Sequence, residues 1–174
     1  MGISHIALAV KDIEATHRFY TEVMGFALIK VEIAAMRGGK ARHAFYSTGS
    51  PADQMIAFWD LRDVPGFENG YHTDISRDLG LDPFTNHLAF QADSIDDLAE
   101  RRQRMTDAGC PVVEIDHGWI RSIYTEDPDR NVVEFAIVTE PLTDADAAAA
   151  LELLTAVDPP LAPEPSITVH DPVG

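Results

Sequence analysis

Residues 3–13 read I-S-H-I-A-L-A-V-K-D-I and residues 85–95 read T-N-H-L-A-F-Q-A-D-S-I, placing a histidine, an apolar run and an isoleucine at matching offsets 82 residues apart. Such self-similarity marks a duplicated structural unit. After the first copy, Asp12 can cap a helix carrying Ile13, His17, Phe19, Tyr20 and Met24, and Gly25 supplies a stop. After the second, Ser94 can cap a helix carrying Ile95, Leu98, Ala99, Arg102 and Met105, stopped by Gly109. Beyond each glycine the period becomes extended, predicting strands at about 26–34, 41–48 and 54–60, then at about 111–116, 120–126 and 131–138. The expected fold is therefore α+β, with two βαβββ modules at 1–60 and 85–140. Residues 61–84, with Pro65, Gly66, Gly70, Gly80 and Pro83, read as a loop insertion able to cover a site. Residues 141–174 divide into a helix at 142–156 and a Pro-rich acidic tail at 158–174 that either wraps the surface or stays mobile.

Composition narrows the function. A hydrophobic content of 45% with 24% charged residues is that of a globular chain. A formal charge of −16 repels phosphate backbones and anionic headgroups, so no nucleic-acid or membrane partner is expected. Residues 1–10 carry an apolar run without a basic leader, and no stretch approaches the roughly 20 apolar residues of a spanning helix, so a cytoplasmic protein is expected. Cys110 is the only cysteine, which excludes an intrachain disulfide and a thiolate cluster. A bound metal would have to use His and carboxylate.

Such a set is visible. Each module opens on a strand bearing a histidine, His5 or His87, and the second closes on V-V-E-F-A-I-V, where Glu134 shares a strand face with Val132 and Ala136. A carboxylate among apolar neighbours needs a partner. Any one of these residues alone is more often a locally bonded polar group. Two histidines at equivalent positions of a duplication, together with a strand-borne glutamate, instead match the two-His-one-carboxylate set of non-haem Fe(II) sites.

The segments S-H-I-A-L-A-V-K-D-I, R-F-Y-T-E-V-M-G-F, N-H-L-A-F-Q-A and S-I-Y-T-E-D-P-D-R-N-V-V-E-F resemble the vicinal oxygen chelate superfamily, which includes glyoxalase I, type I extradiol dioxygenases, fosfomycin-resistance enzymes and bleomycin-binding proteins. The resemblance covers about residues 3–138 and is specific for the fold more than for the reaction. It implies that the two modules form a cupped mixed sheet around one divalent metal on His5, His87 and Glu134, which binds vicinal oxygens of a small-molecule substrate.

Glyoxalase I places a ligating glutamate where this sequence has Ala57, with Asp60 nearby should the register slip. Fosfomycin-resistance enzymes have a hydroxyl at the position of Ala7, and a basic cluster for the phosphonate that is not evident after Glu134. Tyr124 stands ten residues before Glu134, the separation at which extradiol dioxygenases place a tyrosine on a metal-bound substrate oxygen and which fosfomycin-resistance enzymes share. Packing across a strand pair is the alternative role for it. Those enzymes also carry an acid-base histidine on the strand before the Ala57 segment, where this chain has Asp53 and Gln54; His43 and His117 are the candidates to replace it.

Arg42 and Arg121 could receive a substrate carboxylate, and Trp59, Trp119, Phe45, Phe58 and Tyr71 could line an aromatic pocket, though an outward strand face and core packing are their default places. The leading expectation is a ring-cleaving, extradiol-type dioxygenase that takes O2 and a small vicinally oxygenated aromatic compound, with Fe(II) as first metal and Mn(II) as second, acting as a homodimer. A glyoxalase-like lyase or isomerase and a small-molecule-sequestering resistance protein are the alternatives.

Overall fold

Asp12 and Ser94 both act as predicted. The Asp12 carboxylate accepts the amides of Glu14 and Ala15, and the Ser94 hydroxyl accepts that of Asp97, so each repeat converts a strand into a helix at the same offset. The computed structural model describes residues 2–49 and 54–173, which leaves Asp53 outside the described residues. The first module runs β1 (His5–Val10), α1 (Ile13–Arg18), β2 (Ala27–Met36), β3 (Gly39–Ser47) and β4 (Met55–Asp60). The second runs β5 (His87–Gln91), α2 (Ile95–Asp107), β6 (Val112–Asp116), β7 (Ile120–Glu126) and β8 (Val132–Val138), followed by α3 (Asp144–Thr155) and β9 (Ser166–His170). The α+β fold of paired βαβββ modules is the one expected, with each module owning its own mixed sheet. Their strand orders are β1-β4-β3-β2 and β5-β8-β7-β6-β9.

The first helix differs from its prediction. After Arg18 it widens into a π-helical turn over Phe19–Val23, which puts Phe19, Tyr20 and Val23 into the core together. Gly25, with φ of 78°, then turns the chain so that Phe26 enters the second module, its ring 4.9 Å from Phe90 and 6.0 Å from Phe135. One core therefore unites the helix-facing sides of both sheets, with Val10, Tyr20 and Phe58 from one module and Leu88, Leu98 and Phe135 from the other. By strand alternation the opposite faces, bearing His5 and Glu134, lie outside that core.

A bulge at Ile29 shifts the register of β2, because Leu28 pairs with Tyr46 while Lys30 pairs with Phe45. Leu28, Val31 and Ile33 thereby share the helix-facing side, where the short α1 leaves them exposed.

The inter-module segment straps the chain together. The Tyr71 hydroxyl donates to the Val10 carbonyl, the Ile75 amide donates to Asn131, and Arg77 reaches the Arg130 carbonyl. The Asp127–Asn131 turn also holds the first module, accepting the Tyr20 hydroxyl on Asp127 and the Lys11 amide on Asp129. The tail wraps the surface in part, since β9 extends the second sheet by pairing with β6 and His170 bonds Glu114 at 2.9 Å. Among the described residues, no helix is long and apolar enough to cross a membrane.

Candidate metal centre

Strand pairing assembles half of the expected site. Tyr124 and Glu134 are directly opposed across β7 and β8, and His87 at the start of β5 leans onto the same face from the parallel neighbour of β8. His87 Nε2 lies 2.9 Å from Glu134 Oε2, and the His87 and Tyr124 rings are 6.0 Å apart. Glu134 is only 4% exposed.

The other ring nitrogen of His87 fixes the chemistry. Nδ1 lies 2.8 Å from the Phe84 carbonyl, which can only accept, so Nδ1 carries a proton. In the neutral ring Nε2 then presents a lone pair to a carboxylate oxygen. Two acceptors at that distance call for a proton or a cation between them. An imidazole nitrogen and a buried carboxylate, with the imidazole oriented by a backbone carbonyl, are a donor pair that suits a divalent metal.

His5 does not join them within one chain. It sits at the start of β1 on the first sheet, exposed, its ring 5.7 Å from Phe45 and Nδ1 3.3 Å from the Ser4 hydroxyl. Among the described residues, no group of three His, Cys, Asp or Glu stands within reach of one ion.

His43 shares the face of His5. It stacks on Trp59 at 3.6 Å and 12°, with Phe45 beside it, and its Nε2 is buried with no hydrogen-bond partner among the described residues. Burial, and then the nearby His5, push its pKa below the ordinary histidine value, favouring the neutral ring. Tyr124 moves the other way, its pKa raised by burial and further by the Glu134 carboxylate.

Other candidates lie elsewhere. His117 occupies the exposed turn between β6 and β7, as does Trp119. Arg121 shares the parity of core residue Ile123 and pairs with Asp116, while Arg42 shares that of Ala44 and Tyr46 and pairs with Asp60 and Asp63. Alternation thus puts both arginines on the helix-facing sides, not toward a cup. Ala57 pairs in register with Ala7 and is buried, and Asp60 is held by Arg62 and Arg42, so no slip offers Asp60 as a ligand. Phe58 is core, and Tyr71 is occupied by Val10 and Leu61.

Two contributors had no sequence signal. The Phe84 carbonyl is a backbone group in the insertion. Beside it opens a cavity of about 390 Å3, lined by Phe84, Pro111, Val113, Tyr124 and Val132, with Cys110, Thr125 and Glu126 among its polar groups. The Tyr124 ring connects this cavity to the His87–Glu134 pair.

A sequence profile described as the Glyoxalase/Bleomycin resistance protein/Dioxygenase superfamily matches residues 2–135. The chain belongs to this superfamily. No curated protein sequence matches it. Among solved structures, a glyoxylase/bleomycin resistance protein/dioxygenase domain from Frankia sp. EAN1pec is similar at TM-score 0.59 and 20% identity, covering 79% of this chain and 98% of that one. The fosfomycin resistance protein FosX from Listeria monocytogenes, complexed with Mn(II) and sulfate, gives 0.53 and 22%, covering 84% and 97%. Lactoylglutathione lyase from Agrobacterium tumefaciens gives 0.51 and 22%, covering 78% and 92%. At these identities the likeness concerns the fold, which hosts several chemistries.

Proposed function

We propose that this superfamily member is a metal-dependent, extradiol-type dioxygenase that opens the ring of a small vicinally oxygenated aromatic compound with O2. The observation that carries the metal is His87 Nε2 facing Glu134 Oε2 at 2.9 Å while Nδ1 is held by a carbonyl. His5, on the core-distant face of the other sheet, completes the set when two copies pair, His5 of one copy meeting His87 and Glu134 of the other. The protein is accordingly a homodimer.

The reaction class rests on the surroundings. Ala57 provides only a methyl group where a lyase would place a proton-transferring glutamate, and no Lys or Arg lines the cavity to receive a phosphonate. Its apolar wall of Phe84, Val113 and Val132 suits a planar ring. Fe(II), with Mn(II) as second choice, would supply Lewis acidity and open positions for two substrate oxygens and O2. Tyr124 orients the substrate by donating its hydroxyl to one oxygen. His43, favoured in its neutral form and on the face that also carries His5, is the base that takes the proton the substrate hydroxyl loses. Phe84 and Val132 keep water from the ring.

Protein purified without oxygen should hold about one divalent ion per chain and consume O2 with at least one member of a catechol and hydroquinone panel. Isomerisation of a 2-oxoaldehyde hemithioacetal under strict anaerobiosis would move it to the lyases. Tight binding of such compounds with no metal and no turnover would make it a sequestering protein.

A further inference from the structure

Helix α3 is apolar around most of its circumference, yet none of its residues is buried. Ala147, Ala150, Leu151 and Leu154 recur at the spacing of one helix face, and Leu154 is 82% exposed. A helix of this composition is normally covered, and twelve residues in water alone are marginal even with the capping box that Thr143 and Asp146 form. The arm holding it springs from β8 and returns through β9, so both its ends are tied to the second sheet. Across residues 139–165 it bears six acidic residues and no Lys or Arg.

The first sheet has a matching vacancy. The Ile29 bulge and the short α1 leave an open groove of about 330 Å3, floored by Ile13, Leu28, Val31 and Tyr46 and rimmed by Arg18 and Arg42. Its one acid, Glu14, is engaged by Arg62.

We propose that α3 of one copy docks in the α1–β2 groove of a second copy, so that two arms and two grooves close an isologous dimer. The apolar stripe meets an apolar floor, and the acidic arm meets a rim where, among the described residues, Arg18 is the arginine not already held by carboxylates, since Arg42 is paired with Asp60 and Asp63. Every copy supplies one arm and one groove, so a pair leaves neither uncovered. The arm belongs to the second sheet and the groove to the helix-facing side of the first, so the contact joins the same two sheets of different copies that the meeting of His5 with His87 and Glu134 would join on the opposite face. This inference shares that pairing but needs no metal.

The test uses the full chain with Cys110→Ala as background. Light scattering should give twice the 19.1 kDa chain mass for the parent. Leu151→Asp with Leu154→Asp, both at exposed positions and so compatible with folding, should raise the dimer dissociation constant about a hundredfold. Leu154→Cys with Leu28→Cys should oxidise to a covalent dimer. A monomeric parent, a dimer indifferent to the two aspartates, or a disulfide closed within single chains would each overturn the proposal. Metal content of the same samples separates the two readings: a chain that dimerises through its arms without binding metal sinks the centre alone, and metal binding by a dimer indifferent to the aspartates sinks the arm alone.

Discussion

Asp127→Asn should make stability less dependent on pH, and the size of the effect follows from the turn that holds Asp127. One carboxylate oxygen accepts the amides of Asp129 and Asn131 at 2.9 Å, and the other accepts the Tyr20 hydroxyl at 3.0 Å. Burial outweighs these bonds, and with the charge of Asp129 beside it the carboxyl is pushed up to about 6. The unfolded chain, at an ordinary value near 3.8, gives up this proton first as pH rises. The folded state therefore loses stability between those two values and stays at the lower level above the upper one. About two pKa units at ~1.4 kcal/mol each amount to about 3 kcal/mol in all, of which roughly half falls between pH 5 and 7.5. In the variant an amide oxygen keeps the two backbone bonds, while its NH2 meets the Asn131 NH2, a pH-independent cost of about 1 kcal/mol. Urea unfolding at pH 5 and 7.5, above the sequence pI, should show Asp127→Asn gaining about 1.5 kcal/mol on the parent as pH rises. A relative stability constant across that range, or one moving in the opposite direction, would refute the reasoning.

Three further outcomes are expected. Glu134→Gln should lose bound metal by elemental analysis with its circular dichroism spectrum unchanged, because one of two facing acceptors becomes a weaker, neutral donor set. Tyr124→Phe should lower turnover by about one to two orders of magnitude while metal content stays at the parent level. Phe26→Ala, removing the ring that joins the modules, should cost about 3–5 kcal/mol in chemical denaturation, and a loss under about 1 kcal/mol would mean that the shared core does not depend on it.

Much of the fold was legible because local chemistry and periodicity agreed. Asp12 and Ser94 are real caps, and the predicted strands fall within about two residues of those found, as helix and strand ends generally do. The π-helical turn escaped because 3.6-residue and wider spacings place Phe19, Tyr20 and Val23 almost alike. β9 was hidden behind Pro159, Pro160, Pro163 and Pro165, which make the segment read as a tail until S-I-T-V-H finds the free edge of β6. Parity placed Glu134 among apolar neighbours, and the same parity, applied to Arg121 and Ile123, would have set that arginine on the helix side. The position of His5 relative to His87 was beyond reach, since it depends on which sheets face each other and not on any run of residues.

The bond between the Phe84 carbonyl and His87 Nδ1 has an evolutionary consequence. The group that selects the tautomer belongs to the main chain, so drift in the side chain at position 84 leaves the imidazole as it was. What cannot drift is the path of the chain over the four residues from Phe84 to His87. Variation in the insertion should therefore accumulate as substitutions there, with gains and losses of residues confined to its exposed stretch around Glu68–Gly70, where the count of residues does not reset the orientation of the histidine.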